Sequence, residues 1–265
     1  MMRRSLRRTW AAAAAIALAA LLPGGPAAAD DFTISEIADY SSGHYGDEEP
    51  TEIYSDALSA KYETGLTTIK LTMPYLWING AGNVRPDVGR ISTAGGGNEY
   101  RRGVGDLVMA LSQGIAPDWL PGGEIDFTGK VKFATASAAA GLGSGSNDYF
   151  ADVGLIQDLG SGWVAFGDFG RRFSGEPVGT ESGFHDAWYG GIGGQRSFRW
   201  GGSMTLELNA RGSVSDAGAD DIALTAAYAQ KLSDDWKLNL FASRGLSRDA
   251  PEWEFGLSIG YRFGQ

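Results

Sequence analysis

The chain contains no cysteine, which excludes disulfide scaffolds, Cys-based zinc sites, iron–sulfur clusters and thiol chemistry together. Histidine is almost as scarce: His44 and His185 are the only two, too few for a His-rich metal site. Basic residues are outnumbered, 22 Lys and Arg against 32 Asp and Glu, and the net charge of −10 has the wrong sign for a nucleic-acid partner. Long hydrophobic runs are missing too. The longest, residues 10–22, has thirteen residues, short of the ~20 that a spanning helix needs. What is plentiful is glycine, 40 of 265 residues, together with aromatic residues at 11%. That mixture disfavours helices.

Residues 1–29 read as an export signal. Arg3, Arg4, Arg7 and Arg8 precede the apolar run, Pro23-Gly24-Gly25-Pro26 breaks it, and Ala27-Ala28-Ala29 offers a small-residue cleavage site before Asp30. The Arg3-Arg4 pair alone does not argue for twin-arginine export, because no cofactor motif follows. Cleavage removes four arginines and no acids, leaving 18 basic and 32 acidic residues and a net charge of −14.

The rest of the chain alternates. In 124–133, Ile125, Phe127, Val131 and Phe133 share one face, and Glu124, Asp126, Thr128, Lys130 and Lys132 share the other. Period two fits a strand and would scramble on a helix. The same holds for Met204, Leu206, Leu208 and Ala210, and for Trp253, Phe255, Leu257, Ile259, Tyr261 and Phe263. The pattern predicts twelve strands, at 32–41, 51–63, 66–77, 103–115, 124–135, 148–158, 163–173, 183–196, 202–213, 220–230, 236–244 and 252–263. Many are ten residues or longer, the length of a tilted membrane strand, about 9–11, and above the five or six of an ordinary one.

Two further patterns agree. The odd connections run to about 9, 25, 12, 9, 6 and 7 residues, and the even ones to about 2, 8, 4, 5 and 5. Long outer loops and short periplasmic turns are expected of an outer-membrane barrel with both ends in the periplasm. Tyr62, Trp163, Trp200, Trp236, Tyr261 and Phe263 fall at the periplasmic strand ends, and Tyr54, Tyr75, Trp77, Tyr149 and Trp253 at the outer ends, as two interfacial girdles would require. The expected fold is all-β: a transmembrane antiparallel up-and-down β-barrel of about twelve strands over residues 30–265, preceded by a cleaved signal peptide. A soluble β-sandwich is the alternative that these patterns disfavour.

The alternation turns Lys70, Asp106, Asp126, Lys130, Lys132, Asp152, Glu207 and Arg211 inward as candidate lumen-lining residues, with Lys61, Lys237, Glu254 and Arg262 beside them. Twelve strands lie between eight, which fill their own interior, and sixteen, which leave a water channel. A narrow pore and a closed, salt-bridged core both remain open. Asp56 falls on the nominal lipid face near the outer end, where a charge costs little. The longest loop, residues 78–102, carries Arg85, Arg90, Arg101 and Arg102, candidates for a constriction if it folds inward; a surface loop is the alternative.

Catalytic patterns are weak. His185 and Asp186 are adjacent, so on a strand they face opposite ways and do not form a catalytic pair. His44 with Asp47, Glu48 and Glu49 reads as a solvated acidic loop. Gly141-Leu142-Gly143-Ser144-Gly145-Ser146 lacks the lysine and following helix of a phosphate loop. No enzyme activity, metal or cofactor is expected.

Several segments resemble a known family. Gly103-Val104-Gly105-Asp106-Leu107 is similar to its "GxGD" strand opening. Residues 129–135, GKVKFAT, and 141–149, GLGSGSNDY, resemble its "VKLPT…GLGTGxxDY" core, with Phe133-Ala134 in place of Leu-Pro. Met73-Pro74-Tyr75-Leu76 and Gly80-Ala81-Gly82-Asn83-Val84 resemble its "PYxxxxGPGNV" segment, with Ala81 in place of Pro. This is the family of bacterial outer-membrane barrels labelled meta-pathway of phenol degradation, or transporter. The resemblance implies an outer-membrane barrel admitting small compounds, aromatic ones among them, with no catalytic residues. The expected function is passive transport or uptake of small molecules; the alternative is a closed structural or ligand-binding barrel without flux. Expected partners are outer-membrane lipid, a small-molecule solute and, during biogenesis, the barrel-assembly machinery, with no nucleic acid.

Overall fold

The computed structural model describes residues 30–92, 98–180 and 183–263; the expected signal segment, 1–29, lies outside them. The described elements are all strands. The wall begins with β1 (Asp31–Gly43), β2 (Thr51–Thr64) and β3 (Thr67–Ala81). A small hairpin follows, β4 (Val84–Arg85) and β5 (Gly89–Arg90), and then β6 (Asn98–Val104) and β7 (Leu107–Ile115). The wall continues with β8 (Gly123–Phe133), β9 (Asp148–Gly160), β10 (Trp163–Phe173) and β11 (Ala187–Ser197). It ends with β12 (Gly202–Arg211), β13 (Asp221–Lys231), β14 (Trp236–Gly245) and β15 (Trp253–Phe263).

Every wall strand is antiparallel to its neighbours, and β15 returns to β1, from Phe32 opposite Phe263 to Ser42 opposite Trp253. Because β6 and β7 both pair with β3, they are two halves of one stave, and the barrel has twelve. Closure leaves no open edge, so the backbone of the wall is satisfied without water. Twelve strands about 4.8 Å apart and tilted by about 40° make a backbone cylinder roughly 24 Å across.

The boundaries differ from expectation in places with a physical cause. The fourth strand, expected unbroken over 103–115, is interrupted at Gly105-Asp106. Opposite the break stands Pro74 on β3, which has no N–H to give the ladder; its carbonyl instead accepts from Gly105 N at 2.8 Å. Two residues of β3, Met73 and Pro74, face three on the other side, 105–107, a bulge that turns Asp106 inward. The eighth strand starts at Ala187 rather than 183, and the ninth ends at Arg211 rather than 213. Phe184 makes a lone bridge to Ser215 there, so these residues belong to the outer loops.

Alternation sorts the two faces. Phe127, Val153, Leu155, Ile192, Leu206 and Leu257 are exposed on the outside, as lipid-facing residues must be. Phe32 and Phe263 pack at 5.9 Å and Trp236 and Tyr261 at 5.0 Å at the end bearing both termini. Tyr75 and Trp77 pack at 4.6 Å, and Phe169 and Trp188 at 5.0 Å, at the other end. Asp56 lies on the outer face as the sequence reading placed it, and Glu36, its diagonal neighbour on β1, does too. The apolar clusters of buried residues gather under the outer loops. One holds Leu76, Ile78, Ala136 and Leu142, a second Val88, Ile91, Ala187 and Val214, and a third Tyr45, Ala81 and Val84.

Candidate functional site

The register places Lys70, Asp126, Lys130, Lys132, Asp152, Glu207 and Arg211 at lumen-facing positions, and the bulge adds Asp106. They do not form one cluster. At the outer end of β8 to β10, Lys132 Nζ lies 2.7 Å from Asp148 Oδ2 and 3.7 Å from Asp106 Oδ2. Arg172 Nη2 reaches the same Asp148 oxygen at 2.7 Å, and Asp106 Oδ1 accepts from Ala136 N at 2.9 Å. This buried network pins the top of the wall. One layer in, Lys130 Nζ sits 3.9 Å above the centre of the Phe150 ring, and Tyr189 donates its hydroxyl to Asp152 Oδ2 at 2.9 Å. Arg211 pairs with Asp221 at 2.6 Å.

Lys70 stands apart from these groups, about halfway up the lumen on β3. It lies directly opposite Lys61 on β2. Two like charges facing each other across a ladder are unfavourable, and Lys61 finds relief 2.8 Å from Glu63. Among the described residues Lys70 makes no ion pair.

Among the lumen-facing charges that sequence reasoning missed are Asp39, Asp148, Asp168 and Arg172. Asp168 and Arg172 sit on β10, where Gly167 and Gly170 blur the apolar alternation that would have assigned the face. Glycines on β11 have a related effect. A Cβ built on Gly191 would meet Asn209 Oδ1 and Glu207 Oε1 at 2.9 Å and Asp168 Oδ1 at 3.2 Å, so a side chain here would push these converging oxygens aside.

The long loop does turn in, but by a residue the sequence did not single out. The β4–β5 hairpin carries Asp87 at its tip, with φ of 60°, a left-handed conformation that aspartate tolerates better than most residues. Arg172 Nη1 donates to the Asp87 carbonyl at 2.8 Å. Burial inside the barrel raises the Asp87 carboxyl, and the facing Lys132, Arg211, Arg172 and Lys130 outweigh it, holding the carboxyl below the usual carboxylate range. The side chain is still reached by water, so the lumen around it is wet and the shift is the sum of several screened attractions. Val84 is fully buried, and Val88 and Ile91 pack on Ala187 and Val214.

The four loop arginines hold or flank this hairpin. Arg90 pairs with Asp47 at 3.0 Å and donates to the Gly46 carbonyl at 3.1 Å. Arg101, buried, donates to the carbonyls of Ala81 at 3.0 Å, Val84 at 3.2 Å and Gly141 at 3.4 Å. Arg85 bonds the Gly82 carbonyl of its own turn. Arg102 projects to the outer side of β6. Arg85, Arg101 and Arg102 line a polar cavity of about 370 Å³ with Glu99, Tyr100 and Gly141, at the loop rim. The arginines therefore form the base of the hairpin, and its tip is acidic.

The segments that carried the family resemblance meet here. Pro74 faces the Gly105-Asp106 bulge, and Leu142 packs so closely on Gly103 that an added Cβ would lie 2.7 Å from its Cδ1. Asp148 joins Lys132.

The fold is that of solved outer-membrane channels. An outer-membrane channel from Pseudomonas putida F1 superposes with a TM-score of 0.68 at 13% identity, covering 91% of this chain and 97% of that one. The KdgM porin, solved in complex with disordered oligogalacturonate, superposes with a TM-score of 0.54 at 11% identity over 87% of this chain and 99% of that one. No protein-family model matches the chain, and no curated protein matches it significantly.

His44 and His185 are both at the outer loops, His44 Nδ1 2.8 Å from Glu252 Oε1 and His185 Nε2 3.6 Å from Asp216 Oδ1. Neither has a hydroxyl nucleophile positioned against it among the described contacts.

Proposed function

We propose that the chain is a passive channel of the bacterial outer membrane, exported behind a cleaved signal peptide and taking small solutes down their gradient through the barrel lumen. The observation that carries this reading is the lumen itself, lined by lysines, arginines, carboxylates and hydroxyls rather than packed with apolar side chains. A barrel needed only for structure is more simply filled by apolar residues. The apolar exterior between two aromatic girdles suits outer-membrane lipid as the surrounding partner, and insertion by the barrel-assembly machinery follows from that location. The resemblance to the phenol-degradation family extends the proposal to aromatic solutes, and no catalytic step is part of it. The hairpin at 84–90 is the constriction, with Asp87 as its tip and Arg90 and Arg101 as its anchors.

A second reading, a closed barrel whose loops bind a ligand, draws support from the same hairpin, which crosses the lumen and is fastened to β10 by Arg172. Flux through refolded protein in liposomes separates the two, once a heated-versus-unheated gel shift has established folding. Replacing residues 84–90 by a short Gly-Ser link is expected to raise flux of sugars and simple phenolics. Unchanged flux would sink the constriction, and no flux in either form would favour the closed barrel.

A further inference from the structure

In a tilted barrel a row of directly paired residues runs perpendicular to the strands and so climbs the wall. One such row starts at Arg262 near the terminal end of β15 and passes through Thr33 to Lys61 and Lys70. It continues through Ala110 to Lys130, then through Phe150 to Arg172 near the outer end of β10. Five cations thus lie on one unbroken row. At about 4.8 Å per strand and a tilt of about 40°, its seven strand-to-strand steps rise roughly 22 Å while turning about a third of a circle. That is nearly the height of the apolar belt of such barrels, about 25 Å.

The acids follow a second, similarly climbing stripe. Asp126 on β8 shares a row with Asp168 on β10, through Gly154. Two residues below that row on β12, Glu207 begins another that passes through Thr225 and Ser243 to Glu254 on β15. At mid-height Lys70 on the third stave and Glu207 on the ninth stand six staves apart, on opposite walls of twelve. Towards the outer end, Arg172 on the seventh stave and Glu254 on the twelfth keep nearly the same separation.

We infer that these opposed stripes make the lumen a transverse field that favours small zwitterions and strongly dipolar solutes over neutral ones of equal size. The inference rests on the channel reading above. A zwitterion turning its carboxylate to Lys70 or Arg172 and its ammonium to Glu207 or Glu254 has favourable partners on both walls at mid-height and again towards the outer end. A pure anion or cation is attracted by one wall and repelled by the other. Successive cations stand about 5–10 Å apart, close enough that a solute leaves one as it meets the next. Wall potentials of this kind raise local solute concentration by about tenfold or more at low ionic strength and fade as salt is added.

The test uses the refolded full chain in liposomes and four probes of matched size: para-aminomethylbenzoate, benzyl alcohol, benzoate and benzylammonium. The wild type is expected to pass the zwitterion about tenfold faster than benzyl alcohol at low salt, and that advantage shrinks in 1 M KCl. Discharging the basic row with Lys70→Gln and Lys130→Gln should remove the advantage and favour benzylammonium over benzoate. Discharging the acidic stripe with Asp168→Asn and Glu207→Gln should also remove it, and favour benzoate. If a double variant lacks the gel shift of a folded barrel, the singles Lys70→Gln and Glu207→Gln are measured in its place. The inference is overturned if benzyl alcohol flux equals that of the zwitterion, or if both discharges move the anion–cation preference the same way. If even benzyl alcohol fails to cross through folded protein, the channel reading fails and the inference falls with it.

Discussion

Replacing Asp87 by asparagine isolates the electrostatic part of the hairpin latch. Asparagine tolerates the left-handed backbone at this position, so turn strain is not the variable. The Arg172 bond goes to the backbone carbonyl and survives the change. What is lost is attraction between the carboxylate and Lys132, Arg211, Arg172 and Lys130. In a wet lumen, with an effective dielectric between about 40 and 80, a unit pair some 7 Å apart contributes roughly 0.6–1.2 kcal/mol. Several such pairs, reduced by desolvation and by nearby acids, leave a net of about 1–2 kcal/mol. That corresponds to an increase of about 5- to 30-fold in the odds of the undocked hairpin. Single-channel recording should show it as a matching rise in open probability. The pH dependence has a fixed sign. The docked-state carboxyl lies below the ordinary aspartate value, so its stabilisation is complete above about pH 4 and is lost as pH falls through the lower, docked-state value. Acid should therefore open the wild type, and Asp87→Asn should start open-biased and lose the response. An unchanged open probability in Asp87→Asn, with acid activation intact, would refute the latch.

Other perturbations probe the wall. Glu36 lies on the lipid face four residues from Phe32 and four from Tyr40, near the middle of the apolar belt; Glu36→Leu should stabilise the folded barrel by about 1–2 kcal/mol, read as a higher urea midpoint of the gel shift. At Gly256 an added Cβ would lie 2.0 Å from Phe241 Cε1, so Gly256→Val must expel the ring and should cost about 1–3 kcal/mol by the same assay. Arg101→Ala removes the shared donor of the Ala81, Val84 and Gly141 carbonyls. A loss of about 3 kcal/mol of local stability should speed hydrogen exchange in residues 82–91 by about two orders of magnitude.

The barrel was legible because one face of each strand meets lipid. Residues 124–133 and 253–263 carry period-two patterns with few exceptions, and both became strands, β8 and β15, with their apolar residues on the outer face. Legibility failed where glycine occupies one or both faces. In 183–196 the glycines leave only Trp188 and Ile192 as outward apolar markers, and the start was placed four residues early. The break at Asp106 could be read in principle, since Pro74 cannot donate to a ladder, but locating it requires knowing which residue stands opposite. The hairpin tip was the least readable feature. Asp87 is held by Arg172, 85 residues away in sequence, and no local pattern reports how deep a loop descends.

The placement of apolar contact explains why a charged tip can be used at all. A barrel with a polar lumen puts its large apolar surface outside, so the interior has little hydrophobic material to hold a plug. Here that material is concentrated at the mouth, where Val84 packs with Tyr45 and Ala81, and Val88 and Ile91 pack with Ala187 and Val214. Burying a side chain such as Ile91 contributes about 1.5–3 kcal/mol, at least as much as the net attraction estimated for Asp87. The apolar residues therefore set where the hairpin sits, and the tip charge adjusts how often it leaves. It follows that Ile91→Ala and Asp87→Asn should differ in kind. The first should loosen the whole hairpin, raising open probability at every pH while leaving the acid response in place. The second should raise it only where Asp87 would have been ionised. Identical pH profiles for the two variants would show that the tip charge and the apolar seat are not separable.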